Sequence, residues 1–310
     1  MKFKVMHSLC ILLLLAACSA QSEPFSESDK IVVRFSLSGI QAEVSTRAGG
    51  NDTSPLAEGT TLRILAFKRV STDADLSKDK YMGEGRYIAN SDGSLTEKSF
   101  LLLPRGTYDF YALTPQEVSR VNVSDGNPCT VSVKHGDDYA SSLTTATITE
   151  DRSSVSLAVL TRHCSKLVFN FLPKYDNITS VDIHSVQLTN MSKSPIVGSL
   201  NVSLPIEDGN SGTIITLSDF TPVVGKSLEL SASTVVLPRQ AGPSEFKMEA
   251  CFNGSATRIV CSAPLPFADL GFQPGYQYIF TVKMKGDAAE LELAVEPWGK
   301  EHSLDMDMGG

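Results

Sequence analysis

The stretch Ile31-Val32-Val33-Arg34-Phe35-Ser36-Leu37, residues 31–37, carries the pattern that decides the fold class of this chain. Apolar and polar side chains nearly alternate along it, and a period of two is typical of a β-strand with one buried face. The side chains assigned to the buried face are Ile31, Val33, Phe35 and Leu37. The pattern therefore predicts an early, half-buried strand.

Similar short runs recur along the chain, separated by Gly, Pro, Asn and Asp, the residues that favour turns. They are residues 62–67, 100–103, 108–112, 131–133, 155–159, 167–171, 181–183, 200–204, 228–230, 246–250, 278–284 and 291–295. No run after the first eighteen residues has a convincing helical period. The sequence therefore predicts an all-β chain of short strands packed as β-sandwiches.

Upstream of the early strand, the chain begins like an exported lipoprotein. Residues 1–17 have a positive start at Lys2 and Lys4 and an apolar run too short to span a bilayer. The run ends in Leu15-Ala16-Ala17-Cys18, which predicts removal of residues 1–17 and lipid on the Cys18 thiol. The alternative is an ordinary signal peptide that happens to end in cysteine. Residues 18–30 are polar and contain proline, so we expect a flexible tether.

Composition limits the partners of the exported chain. The net charge is −8, with no basic stripe, which argues against nucleic acid. We find no second apolar stretch of transmembrane length, so we expect attachment to the outer membrane through lipid alone. The length suits two domains, which we place at residues 31–162 and 163–310.

Two turn-and-strand units resemble each other, one in each predicted domain. The first is Leu103-Pro104-Arg105-Gly106-Thr107-Tyr108-Asp109-Phe110, and the second is Phe272-Gln273-Pro274-Gly275-Tyr276-Gln277-Tyr278-Ile279-Phe280. Proline and glycine build the turn, and we expect the aromatic side chains to enter the core on one face. The spacings differ by one residue, so the match suggests a repeat of one sandwich per half.

The cysteines leave two interpretations open. Of the six, Cys10 leaves with the signal peptide and Cys18 takes the lipid; the others are Cys129, Cys164, Cys251 and Cys261. An exported protein can form disulfides, and Cys251 with Cys261 is the most plausible pair, on neighbouring strands around Asn253-Gly254. Buried free thiols are equally compatible with the strand-like surroundings.

No motif in the chain predicts catalysis. None of the five histidines stands at metal-ligand spacing, and adjacent His163 and Cys164 point to opposite faces of a strand. The acidic cluster of Asp73, Asp75 and Asp79 is too sparse for a calcium loop. We therefore expect a protein that is not an enzyme and holds no metal or cofactor.

Several motifs, in order, resemble the fimbrillin family of Bacteroidales. They are the lipoprotein signal, Thr46-Arg47-Ala48-Gly49-Gly50, residues 62–67, residues 103–113, residues 160–167, residues 272–278 and Val295-Glu296-Pro297-Trp298. The resemblance covers nearly the whole mature chain. It implies two tandem transthyretin-like Greek-key β-sandwich domains and a role in type V pili at the cell surface.

The resemblance also implies a mechanism of assembly. In the family, an Arg-specific protease cuts after the first strand, which here places the cut between Arg47 and Ala48. The strand of Ile31, Val33, Phe35 and Leu37 then leaves, and a strand from a neighbouring subunit fills the groove. Some family members are not cut and remain lipid-held anchors.

The donor strand of this chain is less clear from the sequence. The best alternating candidates are Leu291, Leu293 and Val295, which equally suit completion of the second sandwich. A weaker run of Leu304, Met306 and Met308 follows. Stalk, tip and anchor roles in the fimbrium therefore stay open. A second class of function is a glycan-binding outer-membrane lipoprotein, for which Trp298 is the stacking candidate.

Overall fold

The structure, a computed structural model, describes residues 29–37, 39–41, 53–69, 80–115, 130–200, 202–206, 212–226, 228–265, 271–285 and 289–297. Several residues singled out from the sequence lie outside these ranges. They are Cys18, Arg47, Ala48, Asp73, Asp75, Asp79, Cys129, Trp298, Leu304, Met306 and Met308.

The described chain is built from β-strands. They are β1 (Ile31–Leu37), β2 (Ile40–Gln41), β3 (Thr53–Ser54), β4 (Thr61–Lys68), β5 (Lys80–Ala89), β6 (Leu95–Ser99), β7 (Leu101–Leu103), β8 (Gly106–Thr114), β9 (Thr130–Val133), β10 (Ala140–Ile148), β11 (Ser154–Leu157), β12 (Leu160–Arg162), β13 (Ser165–Pro173), β14 (Val181–Met191), β15 (Ile196–Ser199), β16 (Thr213–Leu217), β17 (Thr221–Pro222), β18 (Leu230–Val236), β19 (Glu245–Phe252), β20 (Ile259–Pro264), β21 (Tyr276–Met284) and β22 (Ala289–Pro297). The predicted all-β class is confirmed. No helix among the described residues has the length and apolar character needed to cross a membrane.

The first half of the chain forms a sandwich from two sheets. One sheet has the order β11-β1-β7, and the other has the order β3-β2-β12-β10-β8-β4-β5-β6. Their inward-facing side chains form one buried apolar cluster, because alternate residues of each strand point between the sheets. Strand β1 faces β5 and β8 across this core, where the Phe35 ring contacts Tyr87 and Phe110.

The second half forms a separate sandwich. Its sheets have the orders β17-β18-β13-β21-β22 and β16-β14-β19-β20. Aromatic rings dominate its core: the ring of Phe169 stacks on that of Phe280 at 4.9 Å and tilts against Phe246 at 5.7 Å. The chain therefore folds as two β-sandwiches in tandem.

The two similar turn-and-strand units have equivalent roles in the two sandwiches. The Tyr108 hydroxyl donates a hydrogen bond to the Pro104 carbonyl at 2.7 Å. In the second unit the Tyr278 hydroxyl accepts one from the Gln273 backbone N–H at 2.8 Å. In both cases a buried tyrosine closes the turn that precedes its own strand. The one-residue difference in spacing lies inside the turn.

Some individual strand predictions were wrong. Residues 200–204 do not form a strand, although Leu200 and Leu204 are buried as the apolar spacing required. Strands β5 and β10 were missed. Two glycines and several charged residues interrupt the alternation in β5, and β10 is made largely of Ser, Thr and Ala. Their pairing with β4 and β8, and not their own periodicity, decides their conformation.

A small third sheet joins the two sandwiches. Strand β9 of the first half pairs with β15 of the second in antiparallel register, from Thr130 opposite Ser199 to Val133 opposite Ile196. Beneath it lies a buried apolar cluster with members from both halves, among them Phe67 and Tyr111 from one side and Leu204 and Leu237 from the other. The two sandwiches therefore share a packed apolar junction.

Two histidines, the half-buried His135 and the buried His163, lie at or near this junction. His135 bridges the halves: its Nδ1 accepts a hydrogen bond from the Leu237 N–H at 3.1 Å, and its Nε2 donates one to the Ser192 carbonyl at 2.9 Å. His163 Nε2 lies 2.7 Å from the Ser141 hydroxyl, whereas its Nδ1 has no hydrogen-bond partner. Burial lowers the pKa of both rings, that of His163 to about 4.

A buried arginine closes one end of the second sandwich. The Arg239 guanidinium donates to the carbonyls of Gln240, Asn190 and Gly242 at 3.1, 2.8 and 2.7 Å, and lies 5.9 Å from the Phe272 ring centre. Its planar set of donors matches three carbonyls at once.

We predict that Arg239→Lys lowers the free energy of unfolding by about 3 kcal/mol, because one ammonium cannot reach all three carbonyls and remains a buried charge. The control is Arg258→Lys, at a half-exposed ion pair with Glu249. We expect it to cost less than about 1 kcal/mol. Urea denaturation measures both, and equal losses would contradict the assigned role.

We predict that the protein loses stability as the pH falls from about 6.5 toward 4. Burial in the folded state disfavours the protonated form of both His135 and His163 and lowers the pKa of His163 to about 4, whereas the unfolded chain takes up protons near the ordinary histidine pKa. Each such histidine contributes a slope of up to about 1.4 kcal/mol per pH unit. Thermal melting at several pH values should show a shallower slope for His163→Gln than for the control His184→Gln. Identical slopes for the two variants would exclude the contribution of His163.

Candidate functional site

The early strand β1 occupies the centre of its sheet. Its first three residues pair antiparallel with β7, from Ile31 opposite Leu103 to Val33 opposite Leu101. Its last four residues pair parallel with β11, from Arg34 opposite Ser154 to Leu37 opposite Leu157. Strands β7 and β11 do not pair with each other. Strand β1 therefore bridges two strands that its removal would separate.

The inward face of β1 is part of the core of the first sandwich. Val33 is fully buried, and the exposed fractions of Phe35 and Leu37 are 8% and 9%. The Phe35 ring meets those of Phe110 at 5.2 Å and Tyr87 at 5.5 Å, both edge to face. Three such side chains contribute about 5–9 kcal/mol of apolar burial. That is comparable with the whole stability of a typical domain, about 5–15 kcal/mol.

The chain leaves β1 and crosses at once to the opposite sheet. Gly39 has a φ of +137° and passes so close to β3 that a Cβ there would lie 2.6 Å from the Ser54 carbonyl oxygen. Ile40 is buried, and β2 then lies between β12 and β3. Strand β2 was missed from the sequence because two residues are too few to show a period. Residues 31–41 therefore contribute a strand to each sheet of the sandwich.

A cleft of about 230 Å³ opens beside the end of β1. It is lined by Leu37, Gly39, Pro55, Leu56, Ser91, Asp92 and Gly93. The cleft marks the place where the chain leaves the core and turns toward β2. The predicted cut between Arg47 and Ala48 follows β2 by six residues in the sequence and lies outside the described residues.

The candidate donor strand lies in β22, at the edge of the five-stranded sheet. It pairs antiparallel with β21 along its length, and Leu293 and Val295 lie opposite Phe280 and Tyr278. Leu291 packs partly buried against the second core. The structure therefore places these residues in the second sandwich, one of the two positions that the sequence allowed.

Ion pairs fasten the start of β22 to its sandwich. Glu290 accepts hydrogen bonds from Lys174 and Lys285, and these lower the pKa of its carboxyl to about 2. Glu292 accepts one from Lys283 on the paired strand. The other long edge of β22 has no strand beside it within the described residues.

Of the two interpretations that the sequence left open for Cys251 and Cys261, the structure supports reduced thiols. Neither cysteine is in a disulfide, and nor is Cys164. Cys261 points into the second core opposite Met248, whereas Cys251 lies on the outer face of β19 opposite Asp182. Thiols on opposite faces of a sheet cannot join. Across the described ranges, no group of three or more His, Cys, Asp or Glu side chains is placed to hold a metal ion.

Solved structures with the same fold come from Bacteroides species. A candidate cell adhesion protein from Bacteroides fragilis is 18% identical, with a TM-score of 0.61 over 88% of this chain and 100% of that one. One from Bacteroides ovatus is 15% identical, with a TM-score of 0.58 over 88% and 98%. A fimbrial protein from Bacteroides vulgatus is 10% identical, with a TM-score of 0.54 over 86% and 99%. At these identities the likeness shows the fold.

The family itself is shown by the sequence match. The comparison with curated proteins found no match. The model of the fimbrillin-like family, however, matches residues 30–302, nearly all of the chain after the predicted signal and tether. The match includes β1, Arg47 and β22. This chain therefore belongs to the fimbrillin-like family.

Proposed function

We propose that this protein is a fimbrial subunit that assembles with other subunits by exchange of β1. The observation that carries the proposal is the position of β1: the first strand of the described chain is also the central strand of its sheet. The polypeptide connects β1 to the strands that follow β3 only through residues 38–52. A single cut of the backbone there frees β1 at its C-terminal end.

Release of β1 leaves a groove that needs a new occupant. Removal exposes the apolar partners of Val33, Phe35 and Leu37 and the facing edges of β7 and β11. The lost burial is about as large as the stability of a domain, so the open form cannot persist in water. An extended segment with apolar residues at alternate positions restores both the backbone pairing and the core.

A cut between Arg47 and Ala48 removes more than the predicted strand. It also detaches β2, because residues 40–41 precede the cut. The vacated groove then runs along the three-stranded sheet and past Gly39 to the edge of β12. An incoming strand longer than seven residues fits this path better than one that copies β1 alone.

The incoming strand is provided, in this proposal, by the C-terminal region of a neighbouring subunit. Leu291, Leu293 and Val295 have the required alternation, but β22 must first leave its own sheet and break the Glu290 and Glu292 ion pairs. Leu304, Met306 and Met308 carry a shorter alternating run without that cost. Both segments remain candidates for the donor.

The uncut chain has a role of its own in the proposal. With β1 seated, the first sandwich is complete and closed to strand addition. The tether 18–30 then connects it to lipid on Cys18 in the outer membrane, and the chain acts as an anchor. In either form the protein binds other subunits, at the cell surface and in the fimbrium. The proposal requires no catalytic step, metal or cofactor.

We predict that Arg47→Ala prevents processing and assembly. In the unmodified protein, N-terminal sequencing of the surface form should begin at Ala48, and fimbriae should give SDS-resistant ladders. The control is Arg105→Ala, which removes an exposed turn arginine and should be cut normally. If the unmodified protein is found at the surface only with lipid on Cys18, the cut subunit is excluded and the anchor is supported.

We predict that Phe35→Ala destabilises the uncut protein but not the assembled fimbrium. The truncation leaves a cavity beside Phe110 and Tyr87 and should lower the free energy of unfolding by about 3–5 kcal/mol. Ser36→Ala, on the outer face of the same strand, should change it by less than about 0.5 kcal/mol. Strand exchange removes residue 35 from the subunit, so fimbriae from both variants should dissociate at one temperature. A lower temperature for Phe35→Ala fimbriae would show that β1 stays in place.

A further inference from the structure

A cysteine, a histidine and an aspartate meet on the outer face of the second sandwich. Cys251 lies in β19, and His184 and Asp182 lie in the neighbouring antiparallel strand β14. Asp182 is directly opposite Cys251 in the register. These three side chains, here named the thiol cluster, lie far along the chain from β1 and take no part in the proposed exchange.

A β-bulge brings the histidine to the cysteine. Ile183 lies opposite Ala250 and Ser185 opposite Glu249, so His184 is the extra residue of β14. An extra residue bends the strand and re-aims its side chain. As a result, His184 Nε2 lies 3.3 Å from Cys251 Sγ and 3.8 Å from Asp182 Oδ2. With Nδ1 protonated, the imidazole accepts a hydrogen bond from the thiol.

The cluster is accessible, unlike the other described thiols. Cys251 is half-buried, and the side chains of His184 and Asp182 are 31% and 74% exposed. Cys261 and Cys164 are buried, and burial raises the pKa of the Cys164 thiol to about 12. Reaction at a cysteine requires both access and a group that accepts the proton, and of the described cysteines Cys251 alone has both.

We propose that Cys251 is a modification site that takes small-molecule disulfides by thiol–disulfide exchange, with His184 as the proton acceptor. The Cys251 sulfur attacks one sulfur of R–S–S–R while its proton passes to His184 Nε2. A new S–S bond joins Cys251 to one R–S group, and the other leaves as R–S⁻. That anion takes the proton from the imidazolium and departs as R–SH, so no further oxidant is needed.

Each member of the thiol cluster has a separate part in this step. His184 receives the proton at 3.3 Å, within reach of a sulfur hydrogen bond. The Asp182 carboxylate stabilises the imidazolium while the new bond forms, although its exposure keeps that effect small. The Cys261 thiol lies in the core on the other face, so it cannot resolve the mixed disulfide into an internal one. Reversal of the modification therefore requires a thiol other than Cys261, such as the released R–SH.

The test uses the full chain, reduced and then incubated with oxidised glutathione without oxygen. Proteolytic digestion and mass spectrometry report the adduct at each cysteine separately. We expect Cys251 to be modified well before Cys164 and Cys261. We expect His184→Gln to slow the reaction at Cys251 by about tenfold or more, because the proton acceptor is lost. Asp182→Asn should slow it by less than that.

Gln187→Ala is the matched control, since Gln187 lies on the same strand as His184 and pairs with Lys247 beyond the cluster. Its rate at Cys251 should equal that of the unmodified protein. Thermal melting confirms that the variants fold alike, and the comparison among cysteines in the unmodified protein needs no variant. Equal rates at Cys251 and Cys261, or an unchanged rate in His184→Gln, would overturn the proposal.

Discussion

The contact of β1 with the core of the first sandwich is the interaction on which that sandwich depends. Phe35 meets Tyr87 and Phe110 from the opposite sheet, and Val33 and Leu37 are buried in the same cluster. The β1 backbone joins β7 to β11. Because β1 is the central strand of its sheet, much apolar surface is buried by it. Because it is also the first strand of the described chain, one cut after it is enough to release it. Such a strand suits a protein that exchanges part of its fold for part of a neighbour.

In the second sandwich the first strand, β13, is also the central strand of its sheet, but described chain precedes it as well as follows it. Strands β13 and β21 pair in parallel over eight residues and carry the stacked rings of Phe169 and Phe280. A single cut therefore does not free β13 as it would free β1. The β9–β15 sheet and the shared apolar cluster connect the two sandwiches, with His135 bonded to the backbone on the far side. The two sandwiches are therefore joined by both backbone pairing and apolar packing.

Particular residues show how far the sequence predicts this arrangement. Alternation identified β1, β13, β19 and β21, and the repeated turn motif marked the corresponding strands β8 and β21. The predicted inward face of β1 is that of the structure, because a period of two allows only two faces. The sequence did not predict β2 or β5. Strand β2 is too short to have a period, and glycines and charged residues interrupt the alternation in β5. The sequence left a disulfide between Cys251 and Cys261 open, because proximity in the chain does not show which face of a sheet each side chain is on.

The sequence by itself determined the all-β class, the buried face of β1, the turn-and-strand repeat and the family. Each depends on local patterns of side chains, which a strand expresses wherever it pairs. Only the tertiary structure decided that β1 separates β7 from β11, that β22 completes its own sheet, and that a bulge turns His184 toward Cys251. These features depend on register and pairing between strands far apart in the chain. Backbone hydrogen bonds of that kind leave no periodic trace in either partner, because every residue except proline offers the same N–H and C=O groups.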